Sequence, residues 1–192
     1  MEIDRPKLVM VQLESLAPYS QSRKHDTPKI EKETADAHEQ RTWREKCSIN
    51  DSGEIVIPAM AFKQALDCVA KRLGDQIPGK GKATYTKHFK GGVICQNDVA
   101  IGWMKDTVPA ITISANSDGV RGSGKRVSRT FPQVPNWKGT ATFAILDDTV
   151  TPKVFERHLE EAGRFIGIGR FRPENGGLNG RFRAVKFEYQ DI

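Results

Sequence analysis

Three stretches of the sequence bring cations, glycines and aromatic rings into close spacing. Residues 77–92 carry Lys80, Lys82, Lys87 and Lys90, interleaved with Tyr85, His88 and Phe89. Residues 117–132 carry Arg121, Lys125, Arg126 and Arg129 with Phe131, and residues 167–182 carry Arg170, Arg172 and Arg181 beside Phe171. Lysine and arginine neutralise phosphates and release condensed counterions. Glycines let a main chain come close to a phosphodiester, and exposed rings stack on bases at about 1–3 kcal/mol each. Bases are exposed in single strands, so the chemistry these residues suit is binding of single-stranded nucleic acid. The expected backbone contacts are Lys80, Lys82, Lys87, Lys90, Arg121, Lys125, Arg126 and Arg129, with Arg170, Arg172 and Arg181 beside a sheet. Phe89 and Phe131 are the main stacking candidates, with Tyr85 as a further ring.

Other chemistries find less support. Residues 119–125 fit the G-x-x-x-x-G-K spacing of a phosphate-binding loop. Arg126 stands where that loop needs Ser or Thr for magnesium, however, and Pro132 and Pro135 follow where a helix is required. Gly167-Ile-Gly169 follows a helical pattern instead of a strand, so it is no dinucleotide fingerprint. His25, His38, His88 and His158 are isolated in sequence. Asp147-Asp148 could hold a metal, but adjacent acids before a helix commonly serve the turn and the helix dipole. The expectation is a binding protein and not an enzyme, with no metal and no cofactor. Cys47, Cys68 and Cys95 are odd in number and widely spaced, which predicts reduced, small apolar side chains.

The charge is segregated along the chain. In total 30 Lys and Arg oppose 24 Asp and Glu over 192 residues, a net +6 with an isoelectric point near 9.3. Residues 79–138 alone carry +7 and residues 164–186 carry +5, so everything else sums to −6. A strand-tracking surface needs cations concentrated in this way. A mean hydropathy of −0.53 excludes general membrane character. No apolar run approaches the roughly 20 residues of a membrane span, and no signal-peptide pattern opens the sequence, which predicts a cytoplasmic protein with no membrane partner.

These segments must be positioned by a folded core. Residues 7–16 alternate as a strand. Pro58 opens a helix whose Phe62, Leu66, Val69 and Leu73 share one face, and Gly74 ends it. Strands are expected at 93–95, 99–103, 110–114 and 140–146. A second helix starts at Thr151-Pro152 with Phe155, Leu159, Ala162 and Ile166 on one face, and a last strand covers 182–189. Residues 17–54, 77–92, 116–138 and 167–180 read as insertions. Strand, helix, strands, helix, strand is the order of an α+β, ferredoxin-like/RRM-like antiparallel sheet with both helices on one face and long basic insertion loops, in a single domain of residues 1–192.

Three features resemble the RAMP superfamily, the RRM-like proteins that form the guide-RNA-binding backbone of multisubunit CRISPR complexes. The segment from Ile55-Val-Ile-Pro58 through Phe62-Lys63 to Leu66 is similar to that family's strand-to-helix passage. Gly167-Ile-Gly169 and Gly176-Gly177-Leu-Asn-Gly180-Arg181-Phe182 resemble its late glycine-rich loop. The basic insertion after the first helix resembles the thumb that reaches over a neighbouring subunit. Small phage-borne proteins are similar as well, and for them single-stranded DNA binding in replication or recombination is the expectation. The leading expectation is thus a protein that coats single-stranded DNA with little sequence preference, as a side-by-side homo-oligomer. The alternative within binding proteins is a CRISPR-type subunit holding guide RNA. The alternative of another class is a metal-dependent nuclease using Asp147, Asp148 or Asp98 with a nearby histidine.

Overall fold

A computed structural model describes residues 7–116, 124 and 126–191. The elements follow in the order β1 (Lys7–Ser15), β2 (Tyr19–Ser20), α1 (Ala35–Thr42), β3 (Glu54–Ile57), α2 (Ala59–Leu73), α3 (Thr86–Gly92), β4 (Val93–Cys95), β5 (Val99–Met104), β6 (Ala110–Asn116), β7 (Arg126–Val134), β8 (Lys138–Ile145), α4 (Pro152–Glu161) and β9 (Phe182–Asp191). Short 3-10 turns cover Trp43–Lys46 and Pro173–Asn175, and a π turn continues α4 over Ala162–Ile166.

The core is a four-stranded antiparallel sheet in the order β4-β8-β1-β9. With α2 and α4 as its two crossover helices, this is the ferredoxin-like arrangement expected from the element order. Val9, Val11 and Leu13 of β1 alternate inward and oppose Phe143, Ala141 and Gly139 of β8. From α2 come Phe62, Ala65, Leu66 and Val69, from α4 Phe155 and Leu159, all at or below 2% exposure. Full burial of such side chains stabilises by about 1.5–3 kcal/mol each. The helix boundaries obey local rules. Gly74 ends α2 in the left-handed conformation at φ 60°, and the Thr151 hydroxyl caps α4 by accepting from Val154 N–H.

Two regions expected as loops contain structure. Residues 17–47 hold β2, α1 and the 3-10 turn, and they contribute buried Tyr19, Trp43 and Cys47 to the core. Their polar sequence hid these elements because each buries only one or two side chains. Residues 126–134 form β7, which pairs with β6 as an antiparallel hairpin and with β2 on its other edge. This stretch was expected as an insertion loop, and it contains Pro132, which has no N–H to give a ladder. The β7 ladder tolerates it because the neighbouring bond is made by Gln133 N–H to the Pro109 carbonyl, at 2.9 Å, leaving Pro132 opposite Ala110 where no donor is needed. The insertion after the first helix is thereby split. One part is α3, before β4, and the other is β5 with the β6–β7 hairpin, between β4 and β8.

Candidate nucleic-acid interface

The open face of the four-stranded sheet carries Leu8, Met10, Gln12 and Glu14 on β1, and Lys138, Thr140, Thr142 and Ala144 on β8. Among the described residues no aromatic ring stands there. Phe143 is fully buried, and Phe187 and Tyr189 pack against the core. The face cannot offer the ring-stacking platform by which RRM sheets hold bases. Its cations are also spent on neighbours, since Glu14 accepts from Arg183 Nε at 2.6 Å and lies 3.6 Å from Lys138 Nζ.

The glycine-rich loop after α4 builds one wall of a concavity. Ile168 N–H donates to the Gly180 carbonyl at 3.0 Å, Gly180 N–H to Pro18 at 2.7 Å and Arg170 N–H to Ser20 at 2.7 Å. These bonds draw the loop against β2. Gly169 has φ +73°, and a Cβ on it would strike the Ser20 carbonyl oxygen and come within 2.6 Å of the Tyr19 ring. Glycine is therefore required here for close approach as well as for conformation. Between this loop, β2 and the first turns of α2 lies a cleft of about 440 Å³. Tyr19, Gln21, Met60, Ala61, Gln64 and Ala65 line it, with Arg23, Arg170 and Arg172 at its cationic side. Arg172 Nε donates to Glu174 at 2.9 Å and Arg181 Nε to the Arg164 carbonyl at 3.3 Å, so both are held in place by partners within the chain.

A second cluster ties this loop to the hairpin. The guanidinium carbon of Arg170 lies 3.2 Å from the Phe131 ring centroid, and Lys46 Nζ lies 4.3 Å from it. Lys46 Nζ also donates to the Thr130 carbonyl at 2.7 Å, while Glu39 Oε1 accepts from Thr130 N–H at 2.8 Å and from Lys46. Arg129 completes the set, 3.4 Å from Glu39. Burial pushes the Glu39 carboxyl up, but the hydrogen bonds from Lys46 and Thr130 and the nearby Lys46 and Arg129 charges outweigh it and hold it below the usual carboxylate range. The Glu39–Lys46 pair thus occupies the N–H and C=O of Thr130 as a neighbouring strand would.

The predicted residues divide accordingly. Lys80, Lys82, Lys87 and Lys90 are exposed. Tyr85 and Phe89, expected as stacking rings, are buried instead: Phe89 is 0% exposed and stacks on His158 at 4.3 Å between centroids, with Tyr85 edge-on to the same ring at 5.9 Å. Four lysines in one short segment masked the apolar face of α3. Phe131 is 5% exposed and covered by Lys46 and Arg170, which removes it as a free stacking surface. Arg126 donates from Nε to the Ser114 hydroxyl and from Nη2 to the Ser114 carbonyl, both at 2.9 Å. Arg129, Arg170 and Arg172 converge on the glycine loop and hairpin. Arg121 and Lys125 lie outside the described residues.

Sequence reasoning missed Gln21, Arg23, Glu39 and Lys46, all inside the segment taken for a polar insertion. That segment does carry two local signals, the basic run Arg23-Lys24-His25 and the pair Trp43-Arg44. Lys63, in the family-like helix start, is committed to structure: its Nζ donates to the Phe89 and Lys90 carbonyls at 2.9 and 3.1 Å and caps α3. The acids proposed for a nuclease are also engaged. Asp147 accepts from His88 at 2.7 Å, and Asp98 accepts from Ala59 N–H at 2.8 Å to cap α2. Among the described residues no group of three or more His, Cys, Asp or Glu side chains could hold a metal ion, and no helix is long and apolar enough to cross a membrane.

This arrangement is an RRM/ferredoxin-like α+β fold. Two solved structures share it: the Type III-B Cmr-beta bound to cognate target RNA, at TM-score 0.55 and 15% identity, and Cmr6 from Pyrococcus furiosus, at TM-score 0.51 and 12% identity. The first alignment covers 97% of this chain but only 61% of the other, so this chain spans less than two thirds of that neighbour. The second covers 94% and 99%. No family model matches the sequence, and no curated protein matches it. At such identities the likeness establishes the fold. It lends no support to a phage relative or to a preference for DNA.

Proposed function

We propose that this protein is a non-enzymatic RNA-binding subunit of a CRISPR-type multisubunit complex, in which it holds guide RNA. This is the alternative of the sequence reading, now preferred to single-stranded DNA coating. The observation that carries it is the glycine-rich loop drawn against β2, which opens a cleft flanked by Arg23, Arg170 and Arg172 at the start of α2. The fold agrees, since one neighbour of the same fold is bound to RNA. Lys80, Lys82, Lys87 and Lys90 extend the cationic path, and further subunits assemble beside this one along the strand.

A gel shift comparing single-stranded RNA, single-stranded DNA and duplex across a salt series tests the reading. With about six phosphates neutralised, log affinity falls with log salt at a slope of roughly −4 on single strands. RNA is retained to higher salt than DNA, and the strand emerges uncut. A slope near zero overturns the electrostatic path. Tighter binding of DNA overturns the assignment to RNA, and magnesium-dependent loss of the strand overturns the non-enzymatic role.

A further inference from the structure

Outside the cleft, where the π turn meets the end of α2, one aromatic ring holds two arginines. The guanidinium carbons of Arg72, in the last turn of α2, and of Arg164, in the π turn, each lie 5.0 Å from the centroid of the Phe165 ring. The two carbons are therefore no further apart than twice that distance. Both side chains are exposed, and among the described residues neither has an acidic partner. The acids nearest in sequence do not serve them: Asp75 pairs with Arg157 at 3.2 Å, and Glu160 and Glu161 make no ion pair among the described residues. A third guanidinium lies alongside. Arg181 donates from Nε to the Arg164 carbonyl and from Nη1 to the Leu178 carbonyl, both at 3.3 Å, and its own carbonyl accepts from Leu16 N–H at 2.8 Å. These bonds bring Leu16 and Leu178 beside it, 56% and 77% exposed.

We infer that this surface docks a partner protein through an acidic segment in which carboxylates flank aliphatic side chains. The carboxylates meet Arg72 and Arg164, and the aliphatic groups cover Leu178 and Leu16. Charge complementarity gives the sign of the partner, since two exposed guanidiniums stand here without a counter-charge. The choice of arginine and leucine gives its class. Stacking on Phe165 holds each guanidinium plane, and a held plane suits the bidentate geometry of a carboxylate. A phosphate accepts that geometry too, but a phosphodiester backbone brings nothing apolar to take Leu178 and Leu16 out of water. Protein interfaces are enriched in arginine and aromatic residues and depleted in lysine. The lysine coat of residues 77–92 has the opposite composition. The inference stands apart from the RNA-binding reading, which invokes none of Arg72, Arg164, Phe165, Leu16 or Leu178.

Fluorescence anisotropy with the full chain tests it. The probe is a labelled peptide of three Asp-Leu-Leu-Asp units, compared with its Asn-Leu-Leu-Asn analogue, with hexa-aspartate of equal charge and with a single-stranded RNA 12-mer. The Asp-Leu-Leu-Asp peptide is expected to bind roughly 10-fold more tightly than either control peptide. Arg72→Gln and Arg164→Gln each weaken it by roughly 3- to 10-fold, and Arg72→Lys does nearly the same because it keeps the charge and loses the plane. Leu178→Ser weakens the peptide and not hexa-aspartate, and it keeps the test open if an arginine variant does not fold. None of these substitutions changes RNA affinity. No binding of the Asp-Leu-Leu-Asp peptide, or binding equal to that of hexa-aspartate, overturns the inference and leaves the RNA reading standing. Peptide binding that no substitution weakens overturns this surface as its location. Loss of RNA affinity in Arg72→Gln and Arg164→Gln with peptide binding unchanged assigns the surface to the strand and overturns the protein partner. Peptide binding as expected without any RNA binding upholds this inference and overturns the RNA reading.

Discussion

The segment 77–92 and the loop 167–181 look alike in sequence, both short, basic and rich in glycine, yet they fold on opposite principles. In the first the aromatic residues turn inward and the cations outward. Tyr85 and Phe89 close over His158, and four lysines are left as a solvated coat. In the second the main chain folds back on itself and on β2, and its arginines are fixed by carbonyls, Glu174 and the Phe131 ring. Lysine here is a mobile point charge, whereas each arginine is a plane held in a set place. Charge alone favours the first segment, +4 over residues 77–92 against +2 over residues 167–181. The second lines a cleft, and a cleft can distinguish one ligand group from another.

The largest expected effect separates the two readings of Phe89. As a core residue its truncation to Ala leaves a cavity under α3 and costs about 3–5 kcal/mol in urea unfolding. As a stacking ring on the surface it would cost almost nothing in stability and would weaken RNA binding instead. Unchanged stability would dissolve the contrast drawn between the two segments.

Glycine substitutions sharpen the same contrast at a smaller scale. Gly81 has φ +59° with nothing near its missing side chain, so Gly81→Ala carries conformational strain alone, about 1 kcal/mol. Gly169→Ala adds a collision with the Ser20 carbonyl and the Tyr19 ring to similar strain, and is expected to cost about 3 kcal/mol. Thermal melts of the two variants measure the difference. Equal losses would mean that the loop can move off β2 and that the cleft is not preformed.

The core was legible because its signals are periodic. The stripes Phe62-Leu66-Val69 and Phe155-Leu159-Ala162, the Pro58 and Thr151-Pro152 starts and the Gly74 stop all carry a local physical cause. The interface was less legible because it depends on pairings across the chain. Nothing near Glu39 in sequence says that it meets Thr130, 91 residues away. Gln21 becomes interesting only when β2 and the glycine loop are brought together. Phe89 was misread for the complementary reason: a seven-residue helix is too short to show a stripe, so its lysines dominated.

The smallest effect concerns His158, which underlies the lysine segment and not the glycine loop. Its Nδ1 donates to the Val154 carbonyl at 2.7 Å, and its Nε2 is buried with no hydrogen-bond partner among the described residues. Burial lowers its pKa below the usual histidine value, against the Val154 bond and the Asp75 charge, which act to raise it; Arg157 lowers it further and Glu161 raises it. The unfolded chain therefore binds this proton more readily than the folded one. Stability from His158 is complete above about pH 6.5 and is lost as the pH falls from there toward the folded value. Each unit of pH between the two values removes about 1.4 kcal/mol, a decline in Tm of roughly 3–6 °C at about 2–4 °C per kcal/mol. His158→Leu keeps most of the ring's packing and cannot titrate, so its Tm should be flatter than the parent's from pH 6.5 to 5. Glu39 contributes its own loss only lower, as the pH drops below the ordinary carboxylate range, so the two groups separate on the pH axis. Parallel Tm curves for parent and variant above pH 5 would show that the ring beneath Phe89 is not a buried neutral imidazole. The inward-facing account of residues 77–92 would then lose its anchor.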